Sequence, residues 1–445
     1  MQIRQLLAWN STHELVSYKK QVHLCELMKP EYLDDDLVMR NASRKDIPAL
    51  LEHFKAVHGE GVTDQLRVLL ERYPRFTWED SFIIENPNSG EVVSCVILLQ
   101  NAWALDDIQV PSVEMEAVGT LSSYRNRGHI RLLNEKFEDR AAQHHPVIMA
   151  IAGIPNFYRN FGYEYAAYME GGYTVNPNLI PKLPDGEDEP VTFKMVTARN
   201  FNQFLKYREM YLPRRTWIRE IQPENAAYLI YETTSPEQEA FYFYLVKEKA
   251  KTVGVFYLAR WESKLDIVEL YLDNHKHVDA VLRYALARAQ EWDDIPVRVS
   301  PPNQSRIREY ASARTQAQET AAYAWYIKIP SVARFIETIS PLFPNRLRNT
   351  EFEDFIGDLT IMTYKEGFSL SFGNGVFKGV SEKGEKDPEN YHLRIPATFL
   401  TRLLMGYETL DELMTHEPDV QCAANMRPIV RALFPKLHAR IHPYY

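Results

Sequence analysis

The order in which extended and helical runs follow one another constrains this chain most. From about residue 38 to 185 that order is strand, helix, hairpin, strand, helix, strand, and from about 190 to 330 it recurs more loosely. Strands and helices that follow one another in this order give the expected class, α/β (α+β). Residues 331–445 change style, and the first 37 match neither pattern. A chain of 445 residues thus divides into an N-terminal extension, 1–37, and three candidate domains, 38–185, 190–330 and 331–445.

Local signals place the elements. LVMRNAS reads as extended, and Ser43 with Asp46 makes a capping signal for the helix carrying Leu50, Leu51 and Phe54. SFIIENPNSGEVVSCVILLQ contains two β-rich runs joined through Asn88-Ser89-Gly90, an antiparallel hairpin. VEMEAVG is a further strand, and PVIMAIAG has the near-continuous apolar character of a strand buried on both faces. LPDGEDEP is a polar linker. In the second region FYFYLVKEKAKTVGVFYLAR, LDIVELYL and VDAVLRYALARAQEW repeat hairpin, strand and amphipathic helix. In the third, VARFIETI is a short helix, a hairpin turns at Asn374-Gly375, ATFLTRLLMGY is a helix ended at Gly406, and Thr409 with Glu412 forms a capping box.

Composition narrows the class of function. With 45% hydrophobic and 12% aromatic residues the chain can bury several cores, and a net charge of −9 argues against a general nucleic-acid binder. Three scattered cysteines, Cys25, Cys95 and Cys422, fit a reducing compartment and exclude a cysteine-rich zinc module. The start carries no uninterrupted apolar core of a signal peptide and no run reaches membrane-spanning length, so the expectation is a cytoplasmic protein without a membrane partner.

Against that acidity one stretch stands out. TLSSYRNRGHIRLLNEKF, residues 120–137, sets Arg125, Arg127 and Arg131 around Gly128 and runs into a helix with Ile130, Leu133, Phe137 and Ala141 on its apolar face. A helix start presents backbone N–H groups without intrahelical acceptors, Gly128 allows close approach, and arginines add charge-assisted bonds, so a phosphate or pyrophosphate fits. Cations at a helix N-terminus oppose the macrodipole by some tenths of a kcal/mol, a placement that a bound anion would reverse. The plain alternative is a solvated basic helix start. No GKS or GKT follows, and the glycines lack the dinucleotide spacing. The corresponding turn of the second region, DNHKH, has neither the glycine nor the arginines, so the repeat is expected to keep the fold and lack the site.

The turn Arg125-Asn126-Arg127-Gly128-His129-Ile130 resembles the acetyl-CoA-binding turn of the GNAT acetyltransferases, Arg/Gln-x-x-Gly-x-Gly/Ala, with Ile130 in place of the final small residue. A second block, IAGIPNFYRNFGYEYA at 151–166, is similar to that family's next strand and the short helix that bears a tyrosine and ends in Phe-Gly-Tyr. Pro155 suits the first turn of that helix and Gly162 its C-terminal cap. Over residues 38–445 the chain resembles the Eis-like (enhanced intracellular survival protein) group, in which an active GNAT domain, a degenerate GNAT domain and a sterol carrier protein-like domain follow in that order. LRIPATFLTRLLMGYETLDEL and Leu433-Phe434-Pro435 look like the last of these. In that group the turn is commonly arginine-rich with a larger last residue.

The resemblance implies two tandem GNAT folds with mixed, mostly antiparallel sheets plus an α+β C-terminal domain, and an acetyl-CoA-dependent N-acetyltransferase acting on a primary amine in a ternary complex. The acceptor could be a polyamine-like or aminoglycoside-like molecule or a lysine side chain. Val118, Gly119, Thr120, Gly153 and the six residues from Arg125 to Ile130 would bind acetyl-CoA as co-substrate, with no metal. Tyr158 would be the general acid for the departing thiolate, although most of the chain's 26 tyrosines simply pack. The C-terminal carboxylate of Tyr445 would be the base. Glu114 and Glu116, two apart on one strand face, are the alternative base, and their plain reading is solvent-facing alternation. A homo-oligomer, a hexamer by the habit of the group, is expected. The competing class is a non-catalytic acyl-CoA or lipid-binding scaffold. His144-His145 offers no third metal ligand and reads as an exposed helix end. Phe76 and Trp78 lie near the acceptor pocket by comparison with the group.

Overall fold

The computed structural model describes residues 27–33, 36–169, 171–212, 215–219, 221–230, 239–299, 306–320, 323–384, 387–439 and 441. Cys25 and Tyr445 lie outside them. The mixed, mostly antiparallel α/β class expected from the sequence is the class observed, in three sheets.

The first sheet runs from the bridge strand Glu31–Tyr32 through β1 (Val38–Asn41), β2 (Ser81–Asn86), β3 (Glu91–Leu105) and β4 (Ile108–Thr120) to β5 (Ile148–Ile151). Helices α1 (Ile47–His58) and α2 (Thr63–Arg72) join β1 to β2, and α3 (His129–Gln143) crosses from β4 to its parallel partner β5. The Ser43–Asp46 capping box forms at the entrance to α1, with the Asp46 carboxylate accepting the Ser43 N–H at 2.8 Å and held by Arg40 at 2.9 Å. The hairpin turns where Asn88-Ser89-Gly90 places it, closed by the Gly90 N–H on Asn86 O at 2.8 Å. The sequence reading expects one helix before this hairpin, and two are present. Helix α2 escaped because its N-cap, Val62, has no side-chain acceptor, although it buries Leu66, Val68, Leu69 and Leu70.

The chain continues through β6 (Glu164–Tyr168), β7 (Gly172–Val175), β8 (Thr192–Met195), α4 (Phe201–Tyr211) and β9 (Thr216–Arg219). Then follow β10 (Ala240–Glu248), β11 (Lys251–Trp261), β12 (Lys264–Leu272), α5 (Val278–Gln290), β13 (Val297–Val299), β14 (Thr315–Thr320) and β15 (Ala324–Lys328). The second sheet, ordered β14-β7-β13-β12-β11-β10-β8, repeats the hairpin, strand, crossover helix and parallel strand of the first. One strand is exchanged in each direction. β7 follows β6 in the chain yet pairs with β13 and β14, whereas β15 leaves β14 and inserts between β5 and β6.

The third region holds α6 (Val332–Ile339), β16 (Gly357–Met362), β17 (Gly367–Gly373), β18 (Val376–Lys383), α7 (Ala397–Leu404), α8 (Leu410–His416) and α9 (Arg427–Leu433). It docks on the first sheet through three fully buried tryptophans, Trp103, Trp217 and Trp325. Each indole N–H is satisfied: Trp103 donates to Glu114 Oε1 at 2.9 Å, Trp217 to Met405 O at 2.9 Å and Trp325 to Ile441 O at 2.8 Å. Arg402 of α7 adds a 2.9 Å bond to Glu164 of β6. Among the described residues no helix is long and apolar enough to cross a membrane, and no group of three or more His, Cys, Asp or Glu is placed to hold a metal.

Candidate active site

The site follows from where β4 stops having a partner on one edge. Its parallel pairing with β5 covers Ser112–Glu114 against Ile148–Ala150 and ends there, while pairing with β3 continues to Thr120. A bulge falls just past that point. Glu116 opposes Ile97 and Gly119 opposes Cys95, so Ala117 and Val118 share one partner, with Ala117 at a positive φ of 51°. Past the bulge, among the described residues, no strand pairs with the β5 side of Val118–Thr120, a gap in the sheet of the kind that admits a ligand to strand backbone. Tightness against α1 fixes this course. A Cβ at Gly119 would stand 2.7 Å from Val57 Cγ1 and 3.1 Å from His53 Nε2, so α1 packs on bare backbone. His53 is 2% exposed, its Nδ1 lies 2.9 Å from Val92 O, and burial pushes its pKa down to about 4, so the ring is neutral.

At the far end of the gap stands the arginine turn. Gly128 caps α3 at φ 83°, with open space where a Cβ would lie, and the first intrahelical bonds are those of the Arg131 and Leu132 N–H groups to Gly128 O. The turn is exposed at Arg125, Asn126, Arg127, Gly128 and Arg131. Arg125 Nε donates to Thr120 O at 3.3 Å and Arg127 lies over the Tyr124 ring at 5.1 Å. His129 is turned inward: its Nδ1 is 3.0 Å from Ser94 Oγ, which donates to Thr120 Oγ1 at 2.9 Å. That buried chain ties α3 to both strands beneath the turn. Ile130 is half-buried against the α3-side core, while Leu133, Phe137 and Ala141 are fully buried, as their spacing predicts.

The opposite wall is the segment after β5. The expected helix there is only a four-residue 3-10 turn, Tyr158–Phe161, with Gly162 as its C-cap at φ 83°. Pro155 lies in the preceding turn rather than in a first helical turn, because Asn156 at φ 64° interrupts any helix. Tyr158 is 5% exposed and sets the Cδ2–Cε2 edge of its ring against Gly153, within contact of the rings of Phe157 and Tyr326. Burial first, then the negative charge of Glu116 and the neighbouring Tyr326, holds its phenol above the ordinary range, so it is protonated at neutral pH.

Glu114 and Glu116 are buried at 1% and 5% exposure, which overturns the solvent-facing reading. They differ in use. Glu114 Oε1 accepts bonds from Asn101 Nδ2 at 3.2 Å and Trp103 Nε1 at 2.9 Å and lies at the closed apex. Glu116 lies past the apex, where its charge reaches Tyr158. Phe76 and Trp78 pack edge to face at 5.1 Å, partly buried against the α1/α2 core. His144 is half-buried rather than a free helix end, its Nε2 3.2 Å from Asp80 Oδ1 beside Arg140. Sequence reasoning missed His53, Val57, Ser94, Tyr323 and Tyr326, which nothing local marks and which topology alone brings here.

The second sheet offers a comparison within the molecule. β12 and β13 also part after one short parallel run, at Ile267 and Val299. The residue two further on, Glu269, stands where Glu116 stands in the first sheet, and Arg208 holds it with bonds of 2.6 and 2.7 Å. The following turn is capped by its own Asn274, which accepts the Lys276 N–H at 3.0 Å.

Residues 38–166 match the family model of the acetyltransferase (GNAT) domain. No curated protein matches the chain by sequence. Among solved structures, the chain is similar to a GCN5-related N-acetyltransferase from Anabaena variabilis at TM-score 0.64 and 16% identity, covering 91% of this chain and 99% of that one. A GCN5-related N-acetyltransferase from Kribbella flavida is similar at 0.64 and 16%, covering 92% and 100%. Eis1 from Mycobacterium abscessus is similar at 0.58 and 13%, covering 91% and 98%. At these identities the likeness is one of fold, and it extends over nearly the whole chain. Within that fold, the strand parting, the arginine turn and Tyr158 all fall inside residues 38–166, the segment that matches the acetyltransferase (GNAT) domain model.

Proposed function

We propose that the protein is an acetyl-CoA-dependent N-acetyltransferase of the Eis-like kind, moving an acetyl group to a primary amine by direct transfer in a ternary complex. The observation that carries this reading is the parting of β4 from β5 between an exposed helix start ringed by arginines and a buried, protonated phenol. On this reading the amides of Arg125 to Ile130 and the arginine side chains hold the pyrophosphate of the co-substrate. The edge of Val118, Gly119 and Thr120, with Gly153 across the gap, holds the pantetheine arm and polarises the thioester carbonyl.

The neutral amine attacks that carbonyl, so a C–N bond forms and the C–S bond breaks. Tyr158 gives its proton to the departing thiolate, and a base takes the proton released by the amine. For the base, the terminal carboxylate of Tyr445 is the leading candidate and Glu116 the alternative. Tyr445 is outside the described residues, and Ile441, four positions earlier, is anchored to the first sheet, its N–H donating to Tyr168 O at 2.8 Å. Glu114, with two donors on one oxygen, is assigned to the apex rather than to proton transfer. Glu269 sealed by Arg208 supports reading the second sheet as a degenerate GNAT unit. The third region is assigned as sterol carrier protein-like, acting as a wall of the site rather than as a lipid carrier. A cytoplasmic homo-oligomer, with a polyamine-like, aminoglycoside-like or lysine acceptor, completes the proposal.

The test is calorimetric titration of the wild type and Gly128→Glu with acetyl-CoA. Micromolar binding that the variant loses, followed by thiol release with an amine, supports the reading. Absence of binding to the wild type sinks it in favour of a scaffold.

A further inference from the structure

The strand that the second half of the chain inserts into the first sheet, with the residue just before it, carries two tyrosines onto the Tyr158 segment. β15 pairs with β5 through Tyr326 opposite Ile151 and with β6 through Tyr326 opposite Tyr165. Strand alternation divides the side chains of Trp325 and Tyr326, Trp325 into the core shared with the third region and Tyr326 into the core on the α3 side. The Tyr326 ring stacks on Tyr165 at 4.0 Å and stands 5.7 Å from the Tyr158 ring.

Their hydroxyls act on backbone that has left the β4–β5 pairing. Past Ala150, β5 has no strand on its β4 side, and its continuation through Gly153 and Ile154 needs other donors. Tyr323 donates to Gly153 O, Tyr326 donates to Ile154 O at 3.4 Å, and the Tyr165 hydroxyl braces Tyr323 at 3.3 Å. Gly153 in turn registers the ring of Tyr158, since a Cβ built on it would lie 2.1 Å from Cε2. The position of the phenol is thus set by a backbone segment that two phenols from about 170 residues away hold in place.

We propose that Tyr323 and Tyr326 are positioning residues for Tyr158, so that the second half of the chain completes the site of the first half. The inference rests on the reading of Tyr158 as proton donor. Phenylalanine replacements keep both rings and remove only the hydroxyls, which separates positioning from packing.

Two readouts test it. With 3-fluorotyrosine placed at position 158, the wild type is expected to give one narrow fluorine resonance that shifts or splits in Tyr323→Phe/Tyr326→Phe. An unchanged resonance overturns the proposal. In thiol release from acetyl-CoA with spermidine, kanamycin and a lysine peptide as acceptors, the double variant is expected to lose about tenfold in kcat, part of the ~10²–10⁴ that a placed acid supplies. KM for acetyl-CoA should stay within about twofold, since the cofactor turn is untouched, and the loss should vanish in a Tyr158→Phe background. Equal turnover in variant and wild type, or an undiminished loss in that background, overturns positioning and leaves acetyl transfer standing. If the wild type acetylates none of the amines while the resonance still responds, the acetyl-transfer reading has failed and the positioning has not.

Discussion

The ring of Tyr158 rests on the bare Cα of Gly153, with Cε2 and Cδ2 at 2.1 and 2.3 Å from where a Cβ would be. Gly153→Ala must therefore push the phenol out of its place. Overpacking of this kind costs about 1–3 kcal/mol, and a displaced acid lowers turnover. A fall in kcat with acetyl-CoA affinity nearly kept is the expected result. Wild-type turnover in the folded variant would show that the position of the ring is immaterial.

The opposite wall makes a matching prediction. Gly119→Ala meets the branched Val57 at 2.7 Å and cannot be accommodated by a side-chain swing, so β4 should shift at the bulge and acetyl-CoA binding should weaken. Val57→Ala vacates that space, and the double variant should recover much of both stability and affinity, a coupling of about 1 kcal/mol or more between residues in contact. Additive losses in thermal unfolding and titration calorimetry would place the clash elsewhere.

The protonation of Tyr158 predicts a pH profile. Burial and the Glu116 charge disfavour the phenolate, so its proton persists above the ordinary phenol value of about 10. With saturating substrates kcat should show no falling limb up to about pH 10. Glu116→Gln removes an anion that opposes ionisation, so the limb should move to lower pH in that variant. A movement to higher pH contradicts the arrangement.

His53 predicts the acid limit of stability. Its pKa is pushed down to about 4 in the fold, from an ordinary 6.5, chiefly by burial. Below pH 6.5 the unfolded chain takes up a proton that the folded ring refuses, so stability is complete above that value and declines as pH falls toward 4, by up to about 3 kcal/mol. His53→Gln should flatten that part of the curve in urea unfolding between pH 7 and about 4.5. Parallel curves for the two proteins would assign acid lability to other groups.

Much of this site is readable from residues close in sequence, because its signals are local. Ser43 and Asp46 cap a helix, Asn88-Ser89-Gly90 turns a hairpin, and Gly128 starts α3, each through chemistry confined to a few neighbours. The buried state of Glu114 and Glu116 was not readable, since alternation on a strand says which residues share a face but not what covers it. The exchange of β7 and β15 is still less so. Both are short apolar strands, and nothing in GYTV or AWYIK names the sheet that each joins. Partner choice there is set by the whole packing arrangement, which is also why Tyr323 and Tyr326 carry no local mark of their role.

The chain end yields the last prediction. Ile441 is pinned by Tyr168 O and by the indole of Trp325, which meets Trp103 edge to face at 5.8 Å, and Trp103 in turn bonds Glu114 at the apex. Tyr445 is four positions beyond Ile441, a reach of at most about 14 Å when extended. If the terminal carboxylate takes the amine proton, one alanine added after Tyr445 both displaces and re-spaces that charge. Turnover should then fall by about tenfold or more, within the ~10²–10⁴ that a general base contributes, with acetyl-CoA affinity unchanged. Normal turnover by the extended protein would pass the role to Glu116. Glu116→Gln would then become the variant with the larger loss in kcat.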